Sequence, residues 1–314
     1  LDNADFSPTA DPDDLNGLTI TAADVILNSL RVDLFLGYGV LVTGTGATNT
    51  VIEDSVFRGN LTAGIMVNAG ATGTVIHANQ IYDNSNVSAF TSSGIDIIGP
   101  GTSGVIVTGS TIGLNESGAA EGNYGVGIYI ENSSGNTIGT SAADRNIISG
   151  GIANSGGDGS GIHITGAGSF GNRIQNNYIG TDITGTVRRA NQGHGILIDA
   201  GAHDNIIGGS TAGLRNLISG NSGSGIQISG TGTDNNLVLG NDIGVDADGE
   251  AAITGTTQWY AGEGNSNNTI ASGFFLETPP LQSYAPGIVG DAFVLSGNNL
   301  KIEDPAFSSA NAGG

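Results

Sequence analysis

"GSGIHITGAG" at residues 159–168 returns with small changes as "GHGILIDAGA" at 193–202 and "GSGIQISGTG" at 223–232. In each, a glycine is followed by two isoleucines that flank one variable residue. Aligned on that core, the chain reads "GVLV" (39–42), "GIMV" (64–67), "GIDI" (94–97), "GIYI" (127–130), "GIHI" (161–164), "GILI" (195–198) and "GIQI" (225–228). Successive starts lie 25, 30, 33, 34, 34 and 30 residues apart. Self-similarity at such a period is the signature of a repeat architecture.

Two further columns accompany the first. One contains "NTIGT" (136–140), "NRIQNN" (172–177), "NIIGG" (205–209) and "NLVLGN" (236–241). The other contains "NQIYDN" (79–84), "STIGLN" (110–115), "RNIISG" (145–150), "NYIGTD" (177–182), "RNLISGN" (215–221) and "NDIGVD" (241–246). Every segment is too short for a helix and carries β-branched residues at alternate positions, so each reads as a strand. A four-residue strand cannot hide its own apolar face. Stacking each repeat on the next solves this, with parallel ladders about 4.8 Å apart and isoleucine piled on isoleucine. Parallel neighbours need a crossover, which the other two segments of each repeat supply, and crossovers favour the right hand.

The predicted fold is all-β: a right-handed, three-walled parallel β-solenoid of about seven to nine coils over residues 18–272. Its first wall buries pairs such as Ile128 with Ile130 and Ile162 with Ile164. Ile138, Ile174, Ile207 and Val238 line the second wall, and Phe57, Ile81, Ile112, Ile148, Ile179, Ile218 and Ile243 the third. Residues 1–17 form a polar N-terminal segment. Residues 273–314 lose the period and read as an irregular cap or the start of a further domain.

Composition narrows the partners. Glycine supplies 55 of 314 residues without a three-residue period, and hydrophobic residues still make up 38 %. Neither a collagen-like nor a disordered chain fits. With 29 acidic and 8 basic residues the net charge is −21. Such a chain repels nucleic acid and anionic lipid. It also disfavours polyuronates and sulfated glycans unless divalent cations bridge the two. There is no cysteine, hence no disulfide or thiolate chemistry. No apolar run approaches the roughly 18 residues that span a membrane, so membrane insertion is not expected.

The phrases "GNRIQNNYIGTDITGT" (171–186), "NIIGGSTAGLRNLISGNSGSGIQISGTGTDNNLVLGNDIG" (205–244) and "GIHITGAG" (161–168) resemble the right-handed parallel β-helix proteins of bacterial surfaces and secretions, the pectate-lyase-like superfamily. The resemblance spans about residues 36–270. It implies the fold and an extracellular or cell-surface location. It leaves function open, because the superfamily holds pectin and alginate lyases, glycoside hydrolases, epimerases, tailspikes, adhesins and filament proteins.

In G-I-x-I both apolar residues point inward, so x points outward. That outward column reads Leu41, Met66, Asp96, Tyr129, His163, Leu197 and Gln227, and a second runs Glu131, Thr165, Asp199 and Ser229. Asp96, Tyr129 and His163 fall on three consecutive rungs. A carboxylate, a phenol and an imidazole suit proton abstraction from a sugar ring or cleavage of a glycosidic bond. Glu131, Asp199 and Gln227 then stand where substrate would lie. Against this, Leu41, Met66 and Leu197 share the column, and no arginine or lysine accompanies the trio, as lyases of the superfamily typically require.

Excursions at 85–93, 115–125, 149–160, 181–194 and 245–264 project from the coil, and those at 115–125 and 181–194 are placed to wall a groove. Trp259 and Tyr260, in the longest, read as an exposed aromatic pair able to stack on a sugar or to pack on the wall. Asp246, Asp248 and Glu250 in "DADGE" suit a hard cation such as Ca²⁺, or are solvated turn residues. His77, His194 and His203 lack metal-ligand spacing and read as surface residues. The functional expectation is an extracellular structural or adhesive solenoid, binding polysaccharide or self-associating through its ends. The alternative is a secreted polysaccharide lyase or glycoside hydrolase.

Overall fold

A computed structural model describes residues 15–84, 93–140, 144–153, 158–249 and 253, together with backbone strands at 257–261, 269–271, 294–295 and 301–303. Among the described residues the strands fall into three sheets of ten, ten and eight members, and each neighbour within a sheet is the equivalent segment one repeat away. The first wall runs from Leu18–Ile20 through Val126–Glu131, Ile162–Thr165 and Ile196–Asp199 to Val294–Leu295. The second runs from Ile26–Asn28 to Lys301–Glu303, and the third from Arg31–Asp33 to Asp242–Ile243. All ladders are parallel, as in the pairing of Ile128 with Ile162 and Ile162 with Ile196. The chain is a right-handed parallel β-helix.

Among the described residues, eight coils contribute a strand to all three walls. The first two walls continue past residue 272 with Val294–Leu295 and Lys301–Glu303. No helix among the described residues is long and apolar enough to cross a membrane.

The inward columns form one continuous cluster in which Ile95, Ile97, Ile128, Ile130, Ile162, Ile164, Ile196 and Ile198 are wholly buried. Each such side chain contributes about 1.5–3 kcal/mol of transfer free energy. The glycine that opens the first-wall phrase is fixed by close approach. A Cβ on Gly127 would lie 2.6 Å from the carbonyl oxygen of Gly161, and one on Gly161 2.8 Å from that of Gly195.

Asparagines close the corners, where the backbone turns and loses its ladder partners. Before the second wall, Asn172 donates to Asn205 and Asn205 to Asn236, each at 3.0 Å. Before the third, Asn146 donates to Asn177, Asn177 to Asn216 and Asn216 to Asn241, at 2.9, 2.9 and 2.8 Å. After the third, Asn60, Asn84 and Asn123 form a further ladder that resumes at Asn191 and Asn221. Each amide also donates to or accepts from buried backbone, which both halves of the carboxamide allow.

Candidate acid–base site on the first wall

Register places Asp96 opposite Tyr129, Tyr129 opposite His163, and His163 opposite Leu197. Two residues along, Glu131 lies opposite Thr165 and Thr165 opposite Asp199. Strand periodicity turns both columns to the outer face.

His163 stands at the centre. Its Nε2 lies 3.0 Å from Oδ1 of Asp199, and its Nδ1 lies 2.6 Å from Oδ2 of Asp158, without the alignment of a hydrogen bond. Burial works to strip the ring of its proton, but the two carboxylates outweigh it and hold His163 up at about 9. Burial likewise pushes Asp158 and Asp199 up, and the close His163 imidazolium brings both below the usual carboxylate range. Near neutrality the arrangement is therefore an imidazolium between two carboxylates. Asp158 is itself steadied by the Ser160 N–H, which donates to Oδ1 at 2.9 Å.

Tyr129 meets the His163 ring edge to face, with centroids 5.3 Å apart and planes at 79°. Burial first, then the charges of Glu131, Asp96, Asp199 and Asp158, raise its phenol well above the usual range. Near neutrality the phenol therefore keeps its proton.

Asp96 corrects a sequence expectation. An outward residue was expected to face solvent, yet Asp96 is 1 % and Met66 5 % exposed. The outer face is covered at these two rungs, and Tyr38 stands near enough for its phenol to respond to the Asp96 charge. The Ser93 hydroxyl donates to Oδ1 of Asp96, whereas Oδ2 is buried and meets no donor. Burial pushes Asp96 up to about 7; the Ser93 bond opposes this, and the charge of Glu131 adds to it.

His194, expected at the surface, is half-buried beside this cluster. The Ser224 N–H donates to its Nδ1 at 3.0 Å. Burial lowers its pKa, with Asp158 opposing and the His163 charge assisting, so it remains neutral. His77 and His203 are also half-buried, the first 3.1 Å from the Thr108 hydroxyl and the second paired with Asp204 at 2.7 Å. Asp158 was missed because it lies just outside the repeated phrase, and His194 was read as a surface residue because its neighbours in the phrase repeat while it does not. Their signal was position: both sit in excursions that run directly into a first-wall strand.

Those excursions leave at the seam between the third and first walls. Leu114 bridges Ala120 and Thr181 bridges Arg188 in antiparallel fashion, giving two hairpins. Arg189 Nε donates to the Gly118 carbonyl at 3.2 Å and the Ala247 N–H to Gly185 at 3.1 Å, so successive hairpins are tied into a ridge.

The remaining candidates are more distant. Gln227 is separated from His163 by the Leu197 rung and lies 3.5 Å from the Ser229 hydroxyl. Trp259 and Tyr260 do not belong to a loop: Thr257–Ala261 is a first-wall strand, pairing Trp259 with Ile226 and Tyr260 with Gln227. The expected excursion at 245–264 had overlooked this rung. Their side chains lie outside the described residues. Asp246 is half-buried and Asp248 exposed on the turn closed by Gly249 N–H to the Asp246 carbonyl, at 3.0 Å; Glu250 lies outside the described residues. Among the described residues no group of three or more His, Asp or Glu side chains could hold a metal ion.

No protein-family model matches the chain, and no curated protein matches it in sequence. Among solved structures it is similar to the A-module of the mannuronan C-5 epimerase AlgE6 from Azotobacter vinelandii, at 16 % identity and a TM-score of 0.53. The match covers 89 % of this chain and 63 % of that module, so the chain spans less than two thirds of its length. An alginate lyase from Paenibacillus sp. is matched at 19 % identity over 91 % of this chain and 83 % of the other, with a TM-score of 0.46. The likeness to the epimerase module supports the β-helix fold and nothing finer.

Proposed function

We propose that the protein is an extracellular, carbohydrate-acting β-helix whose first wall carries an acid–base centre of Asp96, Tyr129, His163, Glu131 and Asp199. The observation that carries this reading is the His163 imidazolium, clamped between Asp158 and Asp199 against the Tyr129 ring on an outward face. Elsewhere the same column is filled by Leu41 and Leu197, so the fold itself does not need these groups. The described epimerase works on a polysaccharide from the same fold, which supports the choice of substrate class. A polyhydroxylated chain also fits a long, regular wall lined by carboxylates and a phenol.

The chemistry is proton transfer at a sugar, by lyase or hydrolase action. Tyr129 and Asp96 are the groups held protonated, while Asp158 and Asp199 are held ionised. Environments that drive titratable groups apart in this way separate acid from base. Full-length protein incubated with a panel of neutral and acidic glycans, alongside His163→Ala, tests the reading. Turnover by wild type that falls by about 10²-fold or more in the variant supports it. Equal turnover by both removes His163 from the mechanism.

A second reading is an adhesive or filamentous solenoid. Among the described residues, the first-coil strands Leu18–Ile20, Ile26–Asn28 and Arg31–Asp33 each pair with one neighbouring strand, and Ile26 is 66 % exposed. Open parallel edges invite end-to-end pairing. Electron microscopy at rising concentration tests it, and particles that stay monomeric throughout oppose it.

A further inference from the structure

We propose that Phe170 and His203 form a second carbohydrate site, at the corner between the first and second walls, which stacks on a neutral pyranose whose ring substituents are all equatorial. The site lies at the opposite edge of the first wall from the hairpin ridge. It does not depend on the chemistry of the His163 centre.

The sequence of the corner sets the pair apart. One position there is Thr48, Thr72, Ser103 and Ser134 on four successive coils, bridged in parallel. "SSGN" (133–136) aligns with "SFGN" (169–172), so Phe170 and then His203 occupy the same position on the next two coils. Serine and threonine therefore suffice to turn the chain, and the fold does not require rings. Phe170 is nonetheless 47 % exposed, which forgoes much of the transfer free energy that a buried phenylalanine contributes.

The two rings are presented as a ladder. Their centroids lie 5.5 Å apart with planes at 9°, close to the spacing of parallel rungs, so the ring faces look along the coil axis. His203 covers one face of Phe170. The other face looks toward the preceding coil, where the equivalent residue is only Ser134 and where a Cβ on Gly135 would meet nothing within 4 Å. The Gly135 N–H donates to the Phe170 carbonyl at 3.0 Å and holds the two coils in register beneath this opening.

The rim of the opening is polar. His203 Nδ1 lies 2.7 Å from Oδ2 of Asp204, and because a carboxylate only accepts, that nitrogen carries the proton. Nε2 is left to bond a sugar hydroxyl. Asp204 is exposed, and so is Arg173 on the second wall, which forms no ion pair among the described residues. An apolar face within a polar rim matches a pyranose in which every ring C–H is axial, since both its faces are apolar and its hydroxyls radiate from the edge. A protein partner would need about 800 Å² of surface on each side, whereas this column offers two rings and then serine and threonine.

Full-length protein is mixed with cellohexaose, and its aromatic protons are saturated in NMR difference spectra. Saturation should reach one face of the glucose ring, H1, H3 and H5 or H2 and H4, ahead of the C6 methylene. Phe170→Ser and His203→Thr introduce residues the column already uses. Both should melt cooperatively and weaken binding by about fivefold or more. Undiminished affinity in a folded Phe170→Ser overturns the site, as does a wild type that binds no sugar. In Phe170→Trp the indole emission should change as cellohexaose is added, and unchanged emission overturns the site even if the serine variant fails to fold. His163→Ala should bind cellohexaose as wild type does. Binding lost in that variant and kept in Phe170→Ser overturns this inference and leaves the first-wall reading intact. Dimers in sedimentation that Phe170→Ser dissociates, without sugar binding, would make the pair a contact between copies and overturn it as well.

Discussion

His163 reaches diagonally across the sheet: its backbone pairs with Leu197, but its Nε2 lies 3.0 Å from Oδ1 of Asp199, two residues further along that strand. The contact links the two outward columns into one unit. Asp158 completes it from the excursion that feeds the same strand. A side chain serving only to fill the wall would have no need of partners on both ring nitrogens.

The pair makes stability depend on pH in a definite direction. His163 is raised from 6.5 in the unfolded chain to about 9 in the fold. Its contribution is therefore complete below pH 6.5 and is lost as pH rises through 9. For this mostly buried ring it amounts to roughly 2–3 kcal/mol. Wild type should lose more thermal stability between pH 6 and pH 10 than His163→Gln does. Parallel melting curves for the two proteins across that range would show that the ion pairs contribute nothing.

Asp96 should behave in the opposite way on substitution. Burial raises its pKa from 3.8 to about 7, so the stability associated with its neutral form is complete below 3.8 and is lost as pH rises through 7. Asp96→Asn cannot ionise and should melt higher than wild type at pH 8, with the advantage fading toward pH 4. The same variant should lose glycan turnover, a gain in stability at the expense of chemistry. A lower melting temperature at pH 8 would mean that the Ser93 bond matters more than burial of the charge.

The architecture was legible because it is written in apolar residues at a fixed offset. Ile128, Ile162 and Ile196 pile up as the repeated phrase requires, and the alternation also aligned Asp96, Tyr129 and His163. Side-chain environment was less legible. Nothing in "GIDI" says that Asp96 is covered, since burial on an outer face depends on neighbouring rungs and loops. Asp158 and His194 arrive from excursions whose length and sequence do not repeat. Trp259 was misplaced because "TQWYA" lacks the glycine and the paired isoleucines of the repeated phrase, although its 33-residue offset fits the period. The corner asparagines recur at equivalent positions, yet reading for hydrophobic period passes over them.

The repeated glycine supports a stability prediction that needs no assumption about function. Gly127→Ala would place a Cβ 2.6 Å from the Gly161 carbonyl oxygen and 2.8 Å from a methyl of Ile148. Both neighbours are locked in the coil, so relief requires the rungs to part. The cost should be at least about 1–3 kcal/mol, the usual penalty of overpacking. Gly213→Ala meets nothing within 4 Å and is the control, expected within about 0.5 kcal/mol of wild type. Equal denaturation midpoints for the two variants would show that the coil spacing is softer than the contacts imply.

The asparagine ladders predict a larger loss. Oδ1 of Asn205 accepts from both the backbone N–H and the side-chain amide of Asn172, and its own amide donates to the Ser169 carbonyl and to Asn236. All of these groups are buried. Asn205→Ala strands two donors, the backbone N–H and one amide hydrogen of Asn172, at a corner that water cannot enter without opening the coil. The Ser169 carbonyl keeps the His203 N–H, and Oδ1 of Asn236 keeps the backbone N–H of residue 205. Each stranded group costs about 1–3 kcal/mol, although partial relaxation will spare some of them. A loss of about 3 kcal/mol or more in urea unfolding is expected. Asn205→Asp should fare little better, because it replaces an amide donor with a buried negative charge facing the Asn236 oxygen. Asn205→Ser should recover part of the loss, since Ser110 occupies the equivalent ladder position before the third wall and accepts the Asn79 N–H at 3.1 Å. If Asn205→Ala and Asn205→Ser unfold together near the wild-type midpoint, the corner bonds do not hold the coils in register, and burial of the isoleucine columns alone suffices.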